Sequence, residues 1–547
     1  LSVNPHRPNL VEAEGNHHPA SLVLLANGNG HQPASAATHK VASEGIRVTN
    51  EILFNYQRCH RRAFLDVYGD AKQCDPPSDY LLKLRQDSLA HQMEILAGDP
   101  VNEPAYPRHD WSAGSAATLA LMQQGVDRIA RGVLLNELDD GVTLISCPDL
   151  LIKQPGQSKF GDWMYVPVDI RLGKRPKMDY QVAAAFHAYV LAAVQESWSE
   201  TSYLMLRQRG AYTVDLVELL PRMQDILQGC IQTLQQEQEP EVFISHNRCD
   251  LCQWFSHCYG VAQERQHLSL LPGVTPTRYI YLKALRLTKL DDLAIANPKH
   301  LESLPGFGSH VAHRLVKQAQ STLYNQALAH TMATTSDQLS ASPLLTAEEL
   351  PTEPVELYFD IESAPEQNLI YLHGVLVVDR QTQTETFHAL LAENHQDEYS
   401  IWEQFLDLVW RYPKAPIFHF CPYEVQTVKR LAELYGTPRH RVAPLLDRFI
   451  DMHERVTRVA ILPVESYALK PIARWLGFNW RDPNANGAQA ICWYAQWLET
   501  GDRSFLDAIL RYNEDDCRAT YQVKDWLATF VQSDTQAMQA KLIADNR

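Results

Sequence analysis

No apolar run in these 547 residues approaches the roughly 20 that a membrane-spanning helix requires, which excludes a transmembrane helix. Cysteine is also sparse, ten in the whole chain, too few for a secreted disulfide scaffold. Nor is there an excess of positive charge: 49 Lys and Arg stand against 65 Asp and Glu, a formal net charge of −16 that argues against indiscriminate binding of polyanions. What remains, 45% apolar and 21% charged, is ordinary for folded protein, and the length predicts about three or four folding units. A cytoplasmic protein is expected. The chain opens on Leu rather than Met, so nothing is inferred from its start.

Composition shifts divide the chain. Residues 1–44, rich in Asn, His, Ala, Ser and Gly without periodicity, predict a disordered leader. Residues 45–264 mix helical patterns with strand-like runs such as "GVTLISCPDLLI" and "WMYVPVDIRL", predicting one α/β domain. A helical stretch, 265–324, carries a weak repeat: "LLPGV" and "SLPGF" each set a Leu-Pro-Gly turn before a helical pattern. Residues 325–353, rich in Thr, Ser and Pro, read as a linker. A second α/β domain, 354–534, opens on "VELYFDIES" and closes on a long helix, leaving 535–547 as a tail.

Cysteine is clustered where it does occur. "HNRCDLCQWFSHCYG" holds Cys249, Cys252 and Cys258, one ligand short of the four that a thiolate metal centre usually takes. Of the other seven, Cys59 follows the amphipathic "EILFNYQRC" among Arg58, Arg61 and Arg62, which favour a thiolate. It is the chosen fourth ligand.

Between those cysteines stand residues that a metal-dependent hydrolase needs, in order. "DSLAHQMEIL" places His91 on a helix, "CPDLLI" places Asp149 on a strand, and "VPVDIRLGK" places Asp169 at the end of the next. Two carboxylates and an imidazole can hold a hard divalent cation such as Mg²⁺ or Mn²⁺, which polarises a phosphate and activates water. With the upstream Cys and the terminal C-x2-C-x5-C, this region resembles the iron-sulfur RecB-like PD-(D/E)XK exonucleases, including CRISPR-associated and AddB-type members. The resemblance implies a restriction-endonuclease-like fold and a [4Fe-4S] cluster on Cys59, Cys249, Cys252 and Cys258. Zinc remains the alternative, although zinc ribbons use two close Cys pairs and only one is present. Where the family usually has a water-activating Lys, this chain has Arg171, whose fixed charge can steady a phosphate but cannot take a proton. Lys174 is expected to reach in instead. Gln181 matches the family's following Gln, but the expected Tyr is Ala185, so Phe186 or Tyr189 would substitute. Arg175 and Lys177, in "RLGKRPK", are expected phosphate contacts.

"LPGFGSHVAHRLVKQA" resembles a helix-hairpin-helix element, which implies nucleic-acid contacts at Gly306 and Gly308, with Gly273 in the weaker first copy. In "LYFDIES", Asp360 and Glu362 at i and i+2 of a strand share a face, and in "LRYNEDDCRAT", Tyr512 and Asp516 at i and i+4 share a helix face. This second α/β region resembles the DEDD exonucleases of ribonuclease H-like fold, in the YprB-type version that accompanies RecB-like domains. The resemblance implies a two-metal centre on Asp360, Glu362, Asp516 and Glu424, the last standing where the family has Asp, with Tyr512 positioning the water and Lys470 on the substrate phosphate.

The expectation is therefore an α/β multidomain protein that hydrolyses phosphodiester bonds of nucleic acid, with DNA exonuclease action in DNA processing or repair, no membrane association, and unknown protein partners. The competing expectation is a nucleic-acid-binding scaffold with one or both centres inactive.

Overall fold

Eight strands occupy the amino-terminal part of the computed structural model, which describes residues 45–208, 210–330 and 345–545. They are β1 (Arg47–Thr49), β2 (Arg128–Ala130), β3 (Leu134–Glu137), β4 (Thr143–Ser146), β5 (Leu150–Ser158), β6 (Gly161–Arg171), β7 (Thr201–Leu206) and β8 (Gly210–Asp215). The predicted leader, 1–44, lies outside the described residues, as does 331–344 of the predicted linker.

A three-stranded sheet has the order β1-β4-β3, and a five-stranded sheet the order β2-β5-β6-β7-β8. Within the larger sheet β5 and β6 form an antiparallel hairpin, whereas β6 and β7 run parallel. That parallel step needs a crossover, supplied by the helix Met178–Gln195. Its Ala183, Ala184 and Ala185 are buried, small side chains that let the helix lie close on the strands. The helix Asp79–Leu96 also packs on β6, so Tyr165 to Ile170 run buried without alternation.

Two sequence expectations shift here. Asp149 sits in the bend just before β5 rather than on the strand, because Pro148 has no N–H to give the ladder. Gln181 lies one turn inside its helix, which starts at Met178, and its Nε2 donates to the Pro176 carbonyl at 2.8 Å.

The hairpin region builds its own core from residues such as Leu268, Leu282, Leu293, Phe307 and Leu315. It then runs into the second α/β unit. Strands β9 (Leu328–Ala329), β10 (Val355–Ala364), β11 (Leu369–Asp379), β12 (Thr384–Leu391), β13 (Ile417–His419), β14 (Phe449–Asp451) and β15 (Ala460–Ile461) follow. Five of them form a sheet of order β12-β11-β10-β13-β14, antiparallel across the first three and parallel across the last three. β10 is central. The helix Arg503–Asp545 crosses one face, over β10 and β11, and Glu398–Trp410 packs on β11 and β12, burying Trp402 and Phe405.

The predicted linker is corrected in part: β9 pairs antiparallel with β15, and Leu345 and Leu350 enter the second unit's core. Apolar side chains at its two ends find partners there, whereas composition alone suggested a spacer. The predicted tail is corrected too, since the last helix continues to Asp545. Charge also joins the two α/β units: Glu366, just after β10, lies 3.6 Å from Lys83 Nζ and 3.7 Å from Arg207 Nη1. Gln489 Nε2 donates to Asp79 Oδ2 at 3.1 Å.

Candidate metal centres

In the second unit the alternation of β10 sends Asp360 and Glu362 to the face under the helix Arg503–Asp545, and that helix returns Asp516 to them. Oxygens of Asp360, Glu362 and Asp516 lie within 4.8 Å of one another, and among the described residues these are the one such cluster able to hold an ion. Burial and mutual repulsion raise all three. Asp360 is pushed well up by burial, then by Asp516, Glu362 and Glu424; Glu362 likewise by burial and Asp516. Asp516 rises to about 6, burial again outweighing its hydrogen bonds. Carboxylates packed like this favour a divalent counter-ion.

Glu424, on the helix Tyr423–Leu434, is not part of that group of three. It is buried, its Oε2 lies 3.3 Å from His419 Nδ1, and its charge acts on Asp360 from the other side. Tyr512 is hydrogen-bonded to Asp516, and burial followed by the three surrounding carboxylates pushes its hydroxyl far above the ordinary range. It stays a neutral phenol.

Lys470 lies beside this centre: its ammonium donates to the Ala485 carbonyl, lies 4.9 Å from the Tyr512 ring centre and 5.2 Å from that of Trp480, and feels the charges of Asp516 and Glu362.

Three residues of this centre escaped the sequence reading. Asn513 Nδ2 donates to Asp360 Oδ2 at 2.6 Å, and Trp480 Nε1 donates to Asp516 Oδ1 at 2.7 Å, both from buried positions. Gly374, opposite Asp360 in the ladder, makes room: a Cβ there would collide with the Asn513 amide. The signal was visible, since a lone Gly inside the apolar "LIYLHGVLVVD" marks a close approach by another group.

The first unit treats its carboxylates differently. Asp169 Oδ2 accepts from Arg171 Nη2 at 2.7 Å, and its Oδ1 lies 3.2 Å from His187 Nε2. His187 Nδ1 is in turn 2.7 Å from Ser146 Oγ. Asp149 accepts from the Ile170 N–H at 2.6 Å and from Gln92 Nε2 at 3.0 Å. Burial would raise Asp169, but Arg171 and His187 outweigh it and hold the carboxyl well below its usual range. Asp149 goes the other way, to about 6, through burial and the charge of Asp169.

Among the described residues His91 does not join Asp149 and Asp169 in one cluster: its neighbour Gln92 reaches Asp149, while His91 Nδ1 lies 3.9 Å from Glu94 and its Nε2 is buried without a hydrogen-bond partner. Lys174 is corrected. It is exposed on the loop after β6, with Arg175 and Lys177, and the cation at the carboxylates is Arg171. Neither Phe186 nor Tyr189 replaces the missing Tyr; Phe186 is core, and the side chain that reaches Asp169 is His187, which the sequence reading passed over.

Cys59, Cys249, Cys252 and Cys258 line one pocket with Arg58, Arg61, Arg62 and Arg248. Cys59 caps the helix His60–Tyr68, accepting from the Arg62 N–H at 3.4 Å, while Arg61 Nε donates to Cys258 Sγ and the Ser245 N–H to Cys249 Sγ, each at 3.4 Å. Burial raises three of the thiols, Cys252 to about 11.

In the hairpins, Gly273, Gly306 and Gly308 have φ of 88°, 81° and 62°, the left-handed region that glycine enters without steric cost. Arg278 clips the two turns together, donating to the carbonyls of Gly273 at 2.7 Å and Gly306 at 2.9 Å.

No helix among the described residues is long and apolar enough to cross a membrane. No curated protein matches the chain. Residues 357–528 match the family model of the RNase_H superfamily, a fold typical of nucleases. The carboxy-terminal α/β unit is therefore an RNase H-like domain.

Proposed function

We propose that this protein is a metal-dependent nuclease that hydrolyses phosphodiester bonds at the Asp360–Glu362–Asp516 centre. The observation that carries this reading is the convergence of three carboxylates, two buried and Asp360 half-buried, from a central strand and a crossing helix, inside the segment that matches the RNase_H superfamily. Mg²⁺ or Mn²⁺ bound there polarises the phosphate and lowers the pKa of a water. Asp360 feels the charges of Asp516, Glu362 and Glu424, so it is the carboxylate that would be shared if two ions were bound. Tyr512 keeps its proton, donates to Asp516, and offers its oxygen to the attacking water. Asn513 and Trp480 hold Asp360 and Asp516 in place.

The remaining parts serve the nucleic acid. Lys174, Arg175 and Lys177 are exposed on one loop, and the glycine turns at 273, 306 and 308 present backbone N–H groups; both suit phosphate. The four-cysteine pocket is assigned a [4Fe-4S] cluster that fastens the first helices to the last loop of a PD-(D/E)XK-like domain. Four arginines around it suit an anionic cluster, and its N–H···S contacts suit thiolates.

Purified protein is to be incubated with labelled single- and double-stranded DNA and RNA in Mg²⁺, Mn²⁺ or EDTA. Cleavage that requires the ion and is lost in Asp360→Asn supports the reading, and preference among the four substrates identifies the natural one, expected to be DNA. Binding without cleavage under every condition would leave the scaffold reading. Iron and sulfide content against zinc decides the cysteine pocket.

A further inference from the structure

We infer that the carboxylate pair of the first domain, Asp149 and Asp169, takes no divalent ion because the Arg171 guanidinium is its resident cation, and that this domain holds nucleic acid without metal. Three of the four carboxylate oxygens already accept a hydrogen bond within 3.0 Å, from Arg171, the Ile170 N–H and Gln92, and the fourth lies 3.2 Å from the buried His187 Nε2. An ion entering the pair would have to displace these donors, and no third His, Cys, Asp or Glu side chain completes a cluster there among the described residues.

Arg171 is also fixed from its flanks. The ring centres of Tyr180 and Phe54 lie 5.6 and 6.0 Å from its guanidinium carbon, and those rings are nearly parallel, 10° apart in plane. A guanidinium stacked on aromatic faces and hydrogen-bonded to a buried carboxylate is a permanent part of the fold, not a side chain resting in a vacated place. Its charge substitutes for part of the ion's. It supplies no water of lowered pKa, so cleavage is not available to this pair.

Binding is available. The chain leaves Arg171 directly into the loop bearing Lys174, Arg175 and Lys177, whose charged groups are exposed and form no ion pair with another described residue. Beside Arg171 in the parallel ladder is Leu206, and the next residue, Arg207, reaches Glu366, four positions beyond Glu362. The carboxyl edge of β6 and β7 thus adjoins the loop that continues the catalytic strand of the second domain. A strand lying along this edge is led toward the Asp360 centre. The delivery role rests on the nuclease reading above, whereas the absence of an ion at Asp149 and Asp169 does not.

Full-length Asp360→Asn/Asp516→Asn protein, in which the second centre is disabled, is titrated with Mn²⁺ by calorimetry and by thermal unfolding. The expected result is neither heat of binding nor a shift in Tm, while adding Arg171→Met creates a Tm that rises with Mn²⁺, since the exposed pair then needs a cation. Mn²⁺ uptake by the double variant that disappears on adding Asp149→Asn/Asp169→Asn would overturn the inference, and that comparison stands even if the Arg171→Met protein does not fold. The binding half is read in EDTA with fluorescent single-stranded DNA on the same double variant. Retention in EDTA, weakened at least tenfold by Lys174→Glu/Arg175→Glu/Lys177→Glu, is expected; loss of binding in EDTA, or indifference to the triple charge reversal, would refute it.

Discussion

Two pairs of carboxylates in one chain, Asp149 with Asp169 and Asp360 with Glu362, have met opposite fates. Asp149 and Asp169 are satisfied by donors from their own domain, including a stacked arginine, whereas Asp360 and Glu362 are left facing Asp516 and Glu424 with few opposing charges. Each pair has one buried and one half-buried member, so burial does not separate them. What separates them is the source of the compensating charge: internal in the first, and required from solution in the second. A carboxylate cluster is therefore a metal site only to the extent that the protein declines to neutralise it.

The sharpest way to break the comparison is to neutralise one member of each pair. Asp360→Asn is expected to reduce ion-dependent cleavage by about a thousandfold or more, because several kcal/mol of charge stabilisation are lost with the ions. Asp149→Asn is expected to leave the rate within about twofold, since it removes no ion on this reading. Equal losses in the two variants, measured on the same labelled substrate, would erase the distinction.

A smaller effect probes how the second centre is held open. Gly374→Ala pushes against the Asn513 amide and so against Asp360; a loss of about 10- to 100-fold in activity or ion affinity is expected, as for other groups that orient metal ligands. Asn513→Ala in the same background should add little, because the two changes act through one contact.

Proton linkage sharpens the contrast further. Asp516 titrates near 6 in the fold against 3.8 in its ordinary state, so between about pH 4 and 6 the folded, metal-free protein binds more protons than the unfolded chain. Its stability should accordingly fall as pH rises through that window. Excess Mg²⁺ should remove this contribution, while that of Asp149, also near 6, persists in Mg²⁺. Tm against pH, with EDTA and with Mg²⁺, measures both; curves that do not diverge above pH 6 would contradict the assignment.

The smallest expected effect is that of Arg171→Lys. An ammonium cannot reproduce the planar guanidinium's contact with the Phe54 and Tyr180 rings or its geometry on Asp169, so a loss of about 1–3 kcal/mol in stability is expected, with no gain in cleavage. A gain would restore the expectation from sequence that a lysine here revives a nuclease.

How much of this could be read in advance followed the range of the signal. Asp360 with Glu362, and Tyr512 with Asp516, were legible because strand and helix periods place them on common faces within a few residues. The clustering of Cys59 with the three later cysteines was legible from its basic surroundings, and the structure places all four around one pocket. Asn513 and Gly374 were not paired in advance, since their contact joins a helix to a strand far away in sequence. The order His91, Asp149, Asp169 was visible, but order does not say which side chain of a helix turns inward. Gln92 is the one that reaches Asp149, and His187, hidden in a run of buried alanines, is the side chain beside Asp169, where Phe186 or Tyr189 was sought. Arg171 was seen as an anomaly before it could be seen as a counter-ion.

The pairing of β9 with β15 bears on how the chain can be divided. Ala329 and Leu328 give the short strand Ala460–Ile461 its hydrogen-bonding partner, and nearby Gln318 Nε2 donates to the Leu462 carbonyl at 2.6 Å while accepting from Tyr467. A fragment beginning at 354 would strip that edge bare and leave buried polar groups without partners, a recipe for aggregation rather than for a minimal enzyme. The smallest soluble fragment that carries the RNase H-like centre is expected to begin near residue 265, taking the hairpins with it.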